Sequence, residues 1–133
     1  MTAKQRTIEQ DFAEAFKSSE AQYKRAMEAI AGGITHDVRR MTPFPLYVEH
    51  AQGARKWDMD GHELIDYVMG HGALLFGHGH PEIVDAVAQQ MARGTHFGAS
   101  HELEIEWGEH IKRIVPSVDR VEFTSSGTEA TLM

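Results

Sequence analysis

The chain has 133 residues, 41% of them hydrophobic and 25% charged, with no cysteine and a formal net charge of −7 at pH 7. These proportions belong to a folded globular chain rather than a disordered one. The missing thiols exclude disulfides, thiolate metal sites and a cysteine nucleophile, and the acidic balance disfavours nucleic acid and anionic membrane as partners.

The opening "MTAKQRTIEQDFAEAF" lacks the apolar core of a secretory signal. No stretch approaches the ~18 apolar residues that span a bilayer. A cytoplasmic location is therefore expected. Over residues 7–31, Ile8, Phe12, Phe16, Tyr23, Met27 and Ile30 recur at helical spacing. The spacing predicts one helix with Thr7 as its N-cap and "AGG" as its stop. Its apolar stripe fits either packing within its own domain or a partner-binding face. "ITHDVRRMTPFPLYVEH", with two prolines, reads as an ordered crossing loop that ends in a strand over residues 46–50.

"GARKWDMDGHELIDYV" predicts a hairpin, with Asp60-Gly61 as a type I′ turn. After the glycine-rich "MGHGALLFGHGHPE", Pro81 opens a helix whose stripe is Ile83, Val87 and Met91, with Val84 and Ala88 beside it. Leu103, Trp107, Ile111 and Val115 mark another helix over residues 101–115, stopped by Pro116. "DRVEFT" reads as a strand and "SSGTEA" as a turn with a helix beginning near Thr128. The order of elements implies an α/β plan whose main sheet has barely begun. Residues 1–80 form an N-terminal helix and small β meander; residues 81–133 begin a large α/β domain that the chain does not complete.

Nine histidines raise a metal site. His71, His78 and His80 lie close in sequence, yet on glycine-rich sequence without a carboxylate partner, so no metal is expected. "HELEI" departs from the zincin motif because Ile105 stands where the second histidine belongs. Glu104, Glu106 and Glu109 read as the wet face of their helix.

The turn Ser125-Ser126-Gly127-Thr128 supports two readings. A helix start offers unpaired N–H groups and partial positive charge, glycine admits a close ligand, and hydroxyls add donors; together they seat a phosphate monoester. Alternatively Ser126 or Thr128 is an ordinary N-cap completed by Glu129. No lysine follows the glycine, which excludes the triphosphate-gripping P-loop.

"FTSSGTEATLM" resembles the phosphate-binding strand-turn-helix of class III aminotransferases, which are fold-type I enzymes dependent on pyridoxal 5′-phosphate (PLP). "AGGITHDVRR" resembles the "PGGV-NSPVR" segment of the glutamate-1-semialdehyde 2,1-aminomutase group. "KWDMDGHELIDYVMGHGALLFGHGHPEIVDAV" is similar to its "WDVDG…IDYV…GHxHPE" block, and the likeness continues to residue 133. The resemblance implies the N-terminal portion of a fold-type I PLP-dependent transferase, acting on an amino acid or amino-aldehyde carboxylate as a cytoplasmic homodimer. It implies Ser126, Gly127 and Thr128 as the cofactor's phosphate seat and Arg39 as the grip on the substrate carboxylate. On residues alone, Arg39 also reads as a solvated loop arginine beside Arg40.

Two positions depart from the aminomutase pattern. His36 stands where that group has a serine near the substrate carboxylate, and His71 replaces a pocket aromatic residue. Both imply substrate contact, and both shift the expected substrate toward another amino acid, including a β-amino acid. The family's catalytic lysine matches none of Lys4, Lys17, Lys24, Lys56 and Lys112, so the chain alone is expected to be an inactive fragment. The competing reading is a non-catalytic truncated protein that binds at most a phosphate or a partner subunit.

Overall fold

The computed structural model describes residues 5–133. Lys4 lies outside them. The chain divides into two compact units, one running to Val87 and the other Ala88–Met133.

The first unit begins with α1 (Ile8–Ala15) and α2 (Lys17–Ala29). Thr7 is the expected N-cap and closes a reciprocal capping box: its Oγ1 accepts from Gln10 N at 3.3 Å, and Gln10 Oε1 accepts from Thr7 N at 3.1 Å. The single helix expected over residues 7–31 is instead broken at Phe16, whose φ of −116° and ψ of 51° leave the helical region. The cause is tertiary. Phe16 packs its ring 4.6 Å from Phe12 and edge-on to His62 at 5.0 Å. The carboxylate of Asp60, 42 residues away, accepts from Ser18 N with both oxygens at 3.1 Å and so caps the restarted helix. A 3-10 turn, Ala31–Gly33, stops α2 where "AGG" predicts.

Three strands follow: β1 (Val48–Gln52), β2 (Arg55–Asp58) and β3 (Glu63–Ile65), paired antiparallel in the order β1-β2-β3. The strand expected over residues 46–50 starts two residues later. Pro45 has no N–H to offer, and Tyr47 N donates to the fully buried Ser19 Oγ at 3.0 Å rather than to a ladder. Register pairs His50 with Trp57 and Trp57 with Glu63, and the His50 and Trp57 rings stack 4.7 Å apart.

The β2–β3 hairpin is present, but its turn is not type I′. Only Gly61 has positive φ, +87°, while Gly61 N donates to Asp58 O at 3.2 Å. This is a type I turn over residues 58–61 followed by a left-handed glycine. Asp60 stays right-handed, with its carboxylate on Ser18. Phe44, 3% exposed and 5.1 Å from Phe12, is the one buried large hydrophobic among the described residues.

Helix α3 (Pro81–Arg93) runs across the boundary, and the second unit holds its C-terminal part with α4 (Glu102–Ile114) and α5 (Gly127–Leu132). Pro81 opens α3 as its sequence predicts. His101 caps α4 by accepting from Leu103 N on Nδ1 at 3.2 Å, and Val115 closes it. The strand expected at residues 119–124 is not formed. A strand is defined by a partner's backbone groups, and the described residues supply none there. That segment is held instead by Phe123, stacked 4.5 Å from Trp107 of α4.

The stripes of α3 and α4 lie largely in solvent: Val87 is 52% exposed, Met91 59%, Leu103 47% and Trp107 60%. Exposed apolar stripes of this kind drive association. The isolated 133-residue chain is therefore expected to self-associate or to melt without a cooperative transition. Light scattering with a thermal scan checks this; a monodisperse monomer with a sharp, reversible transition would contradict it.

Candidate functional site

Arg39 ends a 3-10 turn, Asp37–Arg39, on the crossing segment between α2 and β1. Its Nη1 donates to Thr35 Oγ1 at 2.6 Å. With Thr35, Arg39 lines a groove of about 510 Å³ whose wall also includes Ile34, Val38, Met41, Leu46, Tyr47 and Lys56. A cationic fork over an apolar lining suits a ligand with a carboxylate and an apolar body.

His36 is three residues away but takes a different place. It caps the same turn, with Nδ1 accepting from Val38 N at 3.2 Å, and lines a separate, more polar depression with Asp37 and Arg40. The structure therefore does not bring His36 into the Arg39 groove. A capping side chain must fold back toward the N–H groups of its own turn.

His71 lies in the glycine-rich loop, at φ +58°. With Met69 at +46°, Gly70 at +60° and Gly72 at +85°, it forms a run of four left-handed residues. Gly72 N donates to Val68 O at 3.1 Å and Leu74 N to Met69 O at 3.0 Å. Left-handed backbone costs a non-glycine residue roughly 1 kcal/mol or more, so Met69 and His71 persist only where the surroundings over-determine them. His71 is exposed and lines neither groove described above.

The surroundings that hold this turn centre on Asp66, which directly follows β3 and is 7% exposed. Its Oδ1 accepts from Val68 N at 3.0 Å, Met69 N at 3.2 Å and Lys56 Nζ at 3.2 Å. Its Oδ2 lies 2.7 Å from His78 Nε2. The hydrogen bond from His78, opposed by burial and reinforced by the two backbone N–H groups and Lys56, holds the carboxyl far below the usual carboxylate range. An ionised carboxylate only accepts, so His78 Nε2 carries the proton.

His78 is thus committed to Asp66. His80 packs on Phe76 with centroids 5.4 Å apart, and its Nδ1 is buried without a hydrogen-bond partner among the described residues. His71, His78 and His80 do not gather, and no three metal-ligating side chains cluster among the described residues. The carboxylate partner of His78 was missed in the sequence. Twelve residues separate Asp66 from His78, and no helical or strand period links them. The only trace is an aspartate closing a strand just before a glycine-rich run.

In the second unit, Ser126 is the N-cap of α5, with Oγ accepting from Glu129 N at 3.3 Å. Glu129 Oε2 accepts from Ser125 N at 2.8 Å. The helix starts at Gly127, one residue before the expected Thr128. A Cβ built on Gly127 would meet nothing within 4 Å, so the first-turn N–H groups of Gly127 and Thr128 can be approached closely. The Ser126 hydroxyl is spent as an acceptor but keeps its own hydrogen to donate. Capping and anion binding are compatible here, since they use different atoms. The arrangement fits a phosphate group.

Of the lysines, Lys17 pairs with Glu14 at 2.5 Å, Lys24 with Glu20 at 2.5 Å and Lys56 with Asp66 at 3.2 Å.

The family model for class-III aminotransferases matches residues 37–133. Glutamate-1-semialdehyde 2,1-aminomutase of Chloroflexus aurantiacus is 44% identical over 122 residues, covering 90% of this chain and 28% of that protein. The Methanopyrus kandleri enzyme of the same name is 42% identical over 117 residues, covering 88% of this chain and 27% of that protein. The chain thus spans little more than a quarter of the curated relatives it matches. Among solved structures, a β-phenylalanine aminotransferase from Variovorax paradoxus superposes with a TM-score of 0.90 at 34% identity, over 94% of this chain and 29% of that one. A glutamate-1-semialdehyde aminomutase from Pseudomonas aeruginosa gives 0.72 at 30% identity, over 79% of this chain and 24% of that one. The architecture is the N-terminal portion of the fold-type I transferase fold that these structures share. The family model's match over residues 37–133, nearly three-quarters of the chain, makes this chain a member of the class-III aminotransferase family.

Proposed function

We propose that the polypeptide carrying this chain is a PLP-dependent aminotransferase or aminomutase of the glutamate-1-semialdehyde 2,1-aminomutase kind. The family match over residues 37–133 carries the reading. The α5 turn supports the cofactor: Ser126, Gly127 and Thr128 would hold its phosphate through first-turn N–H groups and hydroxyls. When bound, PLP supplies an electrophilic carbonyl and an electron sink beside the amine-bearing carbon.

The remaining work falls to the protein. Arg39 grips the substrate carboxylate with its fork, and Thr35 fixes that fork in place. Val38, Met41, Leu46 and Tyr47 line the groove and shed water from the substrate's apolar part. By resemblance to the family, His71 and His36 take substrate-facing positions on the loop and the crossing segment, outside the groove that Arg39 lines. The amine that carries the cofactor is none of Lys4, Lys17, Lys24, Lys56 and Lys112, since none stands in the family's lysine motif, so the 133 residues alone are inactive. By resemblance to the family, the enzyme is a cytoplasmic homodimer.

A second reading, amino transfer from a β-amino acid, is favoured by one observation. The β-phenylalanine aminotransferase superposes more closely than the Pseudomonas aminomutase, 0.90 against 0.72. The test is to incubate the full-length polypeptide with PLP and offer each substrate separately. Isomerisation of glutamate-1-semialdehyde without a keto acid supports the mutase. Amino transfer from β-phenylalanine to a keto acid, with no isomerisation, supports the second reading. A polypeptide that takes up no PLP overturns both.

A further inference from the structure

We infer that Asp66 is a positioning residue for substrate recognition: its carboxylate ties the stem of the loop 66–78 and thereby holds the left-handed turn that presents His71. The inference rests on the proposed role of His71. The stem is closed three ways. Asp66 N donates to Ala54 O at 2.9 Å, His78 N donates to Gly53 O at 2.9 Å, and Gly53 N donates to His78 O at 2.8 Å. Those bonds seat both ends of the loop on the β1–β2 connection. They place the ends but do not choose the hand of the backbone between them.

Asp66 does choose. By accepting from Val68 N and Met69 N together, it draws the chain into a tight turn at the point where positive φ begins. Tyr67, 89% exposed, Leu75, 87%, and Phe76, 70%, contribute little packing of their own. With those three side chains in solvent and only Met69 and Leu74 half-buried, the turn leans on the carboxylate. His78 in turn aims Oδ2 by donating from Nε2, and Lys56 supplies the nearby positive charge. A Cβ added at Gly70 would meet Leu74 Cγ at 3.2 Å, so the turn brings Leu74 close over a position that has no side chain.

The test is made in the full-length holoenzyme with Asp66→Ala, His78→Ala and His78→Gln. Gln places an N–H donor where His Nε2 stands. Two readouts are taken. Amide hydrogen exchange at Gly72 and Leu74 is measured with and without cofactor, and KM and kcat are measured per cofactor-loaded site. Asp66→Ala and His78→Ala should speed exchange at those amides about tenfold or more relative to the β1–β2 ladder, and should raise KM about tenfold with kcat within about threefold. His78→Gln should restore most of both. A purely structural role would lower the loaded fraction without moving KM per loaded site. Unchanged exchange overturns the tie, and faster exchange with unchanged KM overturns the positioning role. If the wild-type holoenzyme turns over no amino substrate, the functional reading fails and the positioning role with it; the exchange readout still decides whether Asp66 holds the turn.

Discussion

Arg39→Ala is expected to raise KM for a carboxylate substrate about a hundredfold, with a smaller change in kcat and no loss of cofactor. A charge-assisted bond to a carboxylate contributes about 1.5–3 kcal/mol, and tenfold in affinity corresponds to about 1.4 kcal/mol, so a two-bond fork accounts for that size. Arg39 is held ready by Thr35 and forms no ion pair among the described residues, which leaves its charge available for substrate. Arg39→Lys should recover only part of the loss, because an ammonium cannot make the parallel pair of bonds. Steady-state kinetics on the loaded enzyme, with cofactor content measured by absorbance, checks the split. A KM unchanged in Arg39→Ala would remove the carboxylate role.

Asp58→Ala is expected to destabilise the first unit by about 3 kcal/mol, the scale for stripping a buried charge from its partners. Asp58 is fully buried at the end of β2. Its Oδ1 accepts from Asp60 N at 3.0 Å and His62 N at 2.8 Å, while Oδ2 meets His62 Nδ1 at 2.8 Å. Alanine removes the one acceptor group that these three contacts share and loosens the turn that carries Asp60 to α2. Burial pushes the Asp58 carboxyl up, but the His62 ring and the two backbone N–H groups outweigh it, so its pKa lies below the ordinary value. A depressed folded pKa stabilises above the unfolded value of about 3.9 and is lost as pH falls through the folded one. The wild type should therefore lose stability below about pH 4, and Asp58→Ala should show less of that acid dependence. Hydrogen exchange of the β1–β2 amides in the full-length protein, followed against pH, measures both effects. Equal exchange in mutant and wild type at neutral pH would sink the prediction.

Local signals in the sequence were sound where the structure is locally decided. The Thr7 capping box, the stop at "AGG", Pro81 at the head of α3 and Val115 at the foot of α4 all stand where residue chemistry puts them. The departures share a different cause. The helical spacing from Ile8 to Ile30 carries no break at Phe16, and the break is explained by tertiary contacts, the packing of Phe16 on His62 and the Asp60 cap 42 residues on. Asp60-Gly61 suits a type I′ turn in isolation, yet the same carboxylate is occupied on Ser18. "DRVEFT" has strand composition, but a strand requires a neighbour's backbone. In the site, the Ser126 turn was legible because capping and anion seating use local groups. The separation of His36 from Arg39 was not, because three residues around a tight turn suggest a shared face until one side chain becomes its cap. The Asp66–His78 tie joins residues without any period between them.

The Asp60–Ser18 contact also bears on the order of folding during synthesis. Helix α1 carries both halves of its cap within residues 7–10, so it can close as soon as that stretch is free. The start of α2 has no side-chain cap on its own N-cap residue and must wait for an aspartate made 42 residues later. At about 5–20 residues per second of translation, that interval is on the order of seconds. Short helices in water are marginal without such support, so α2 spends the interval frayed at its first turn. It becomes firm only when the hairpin delivers Asp60, and the two ends of this unit therefore mature together.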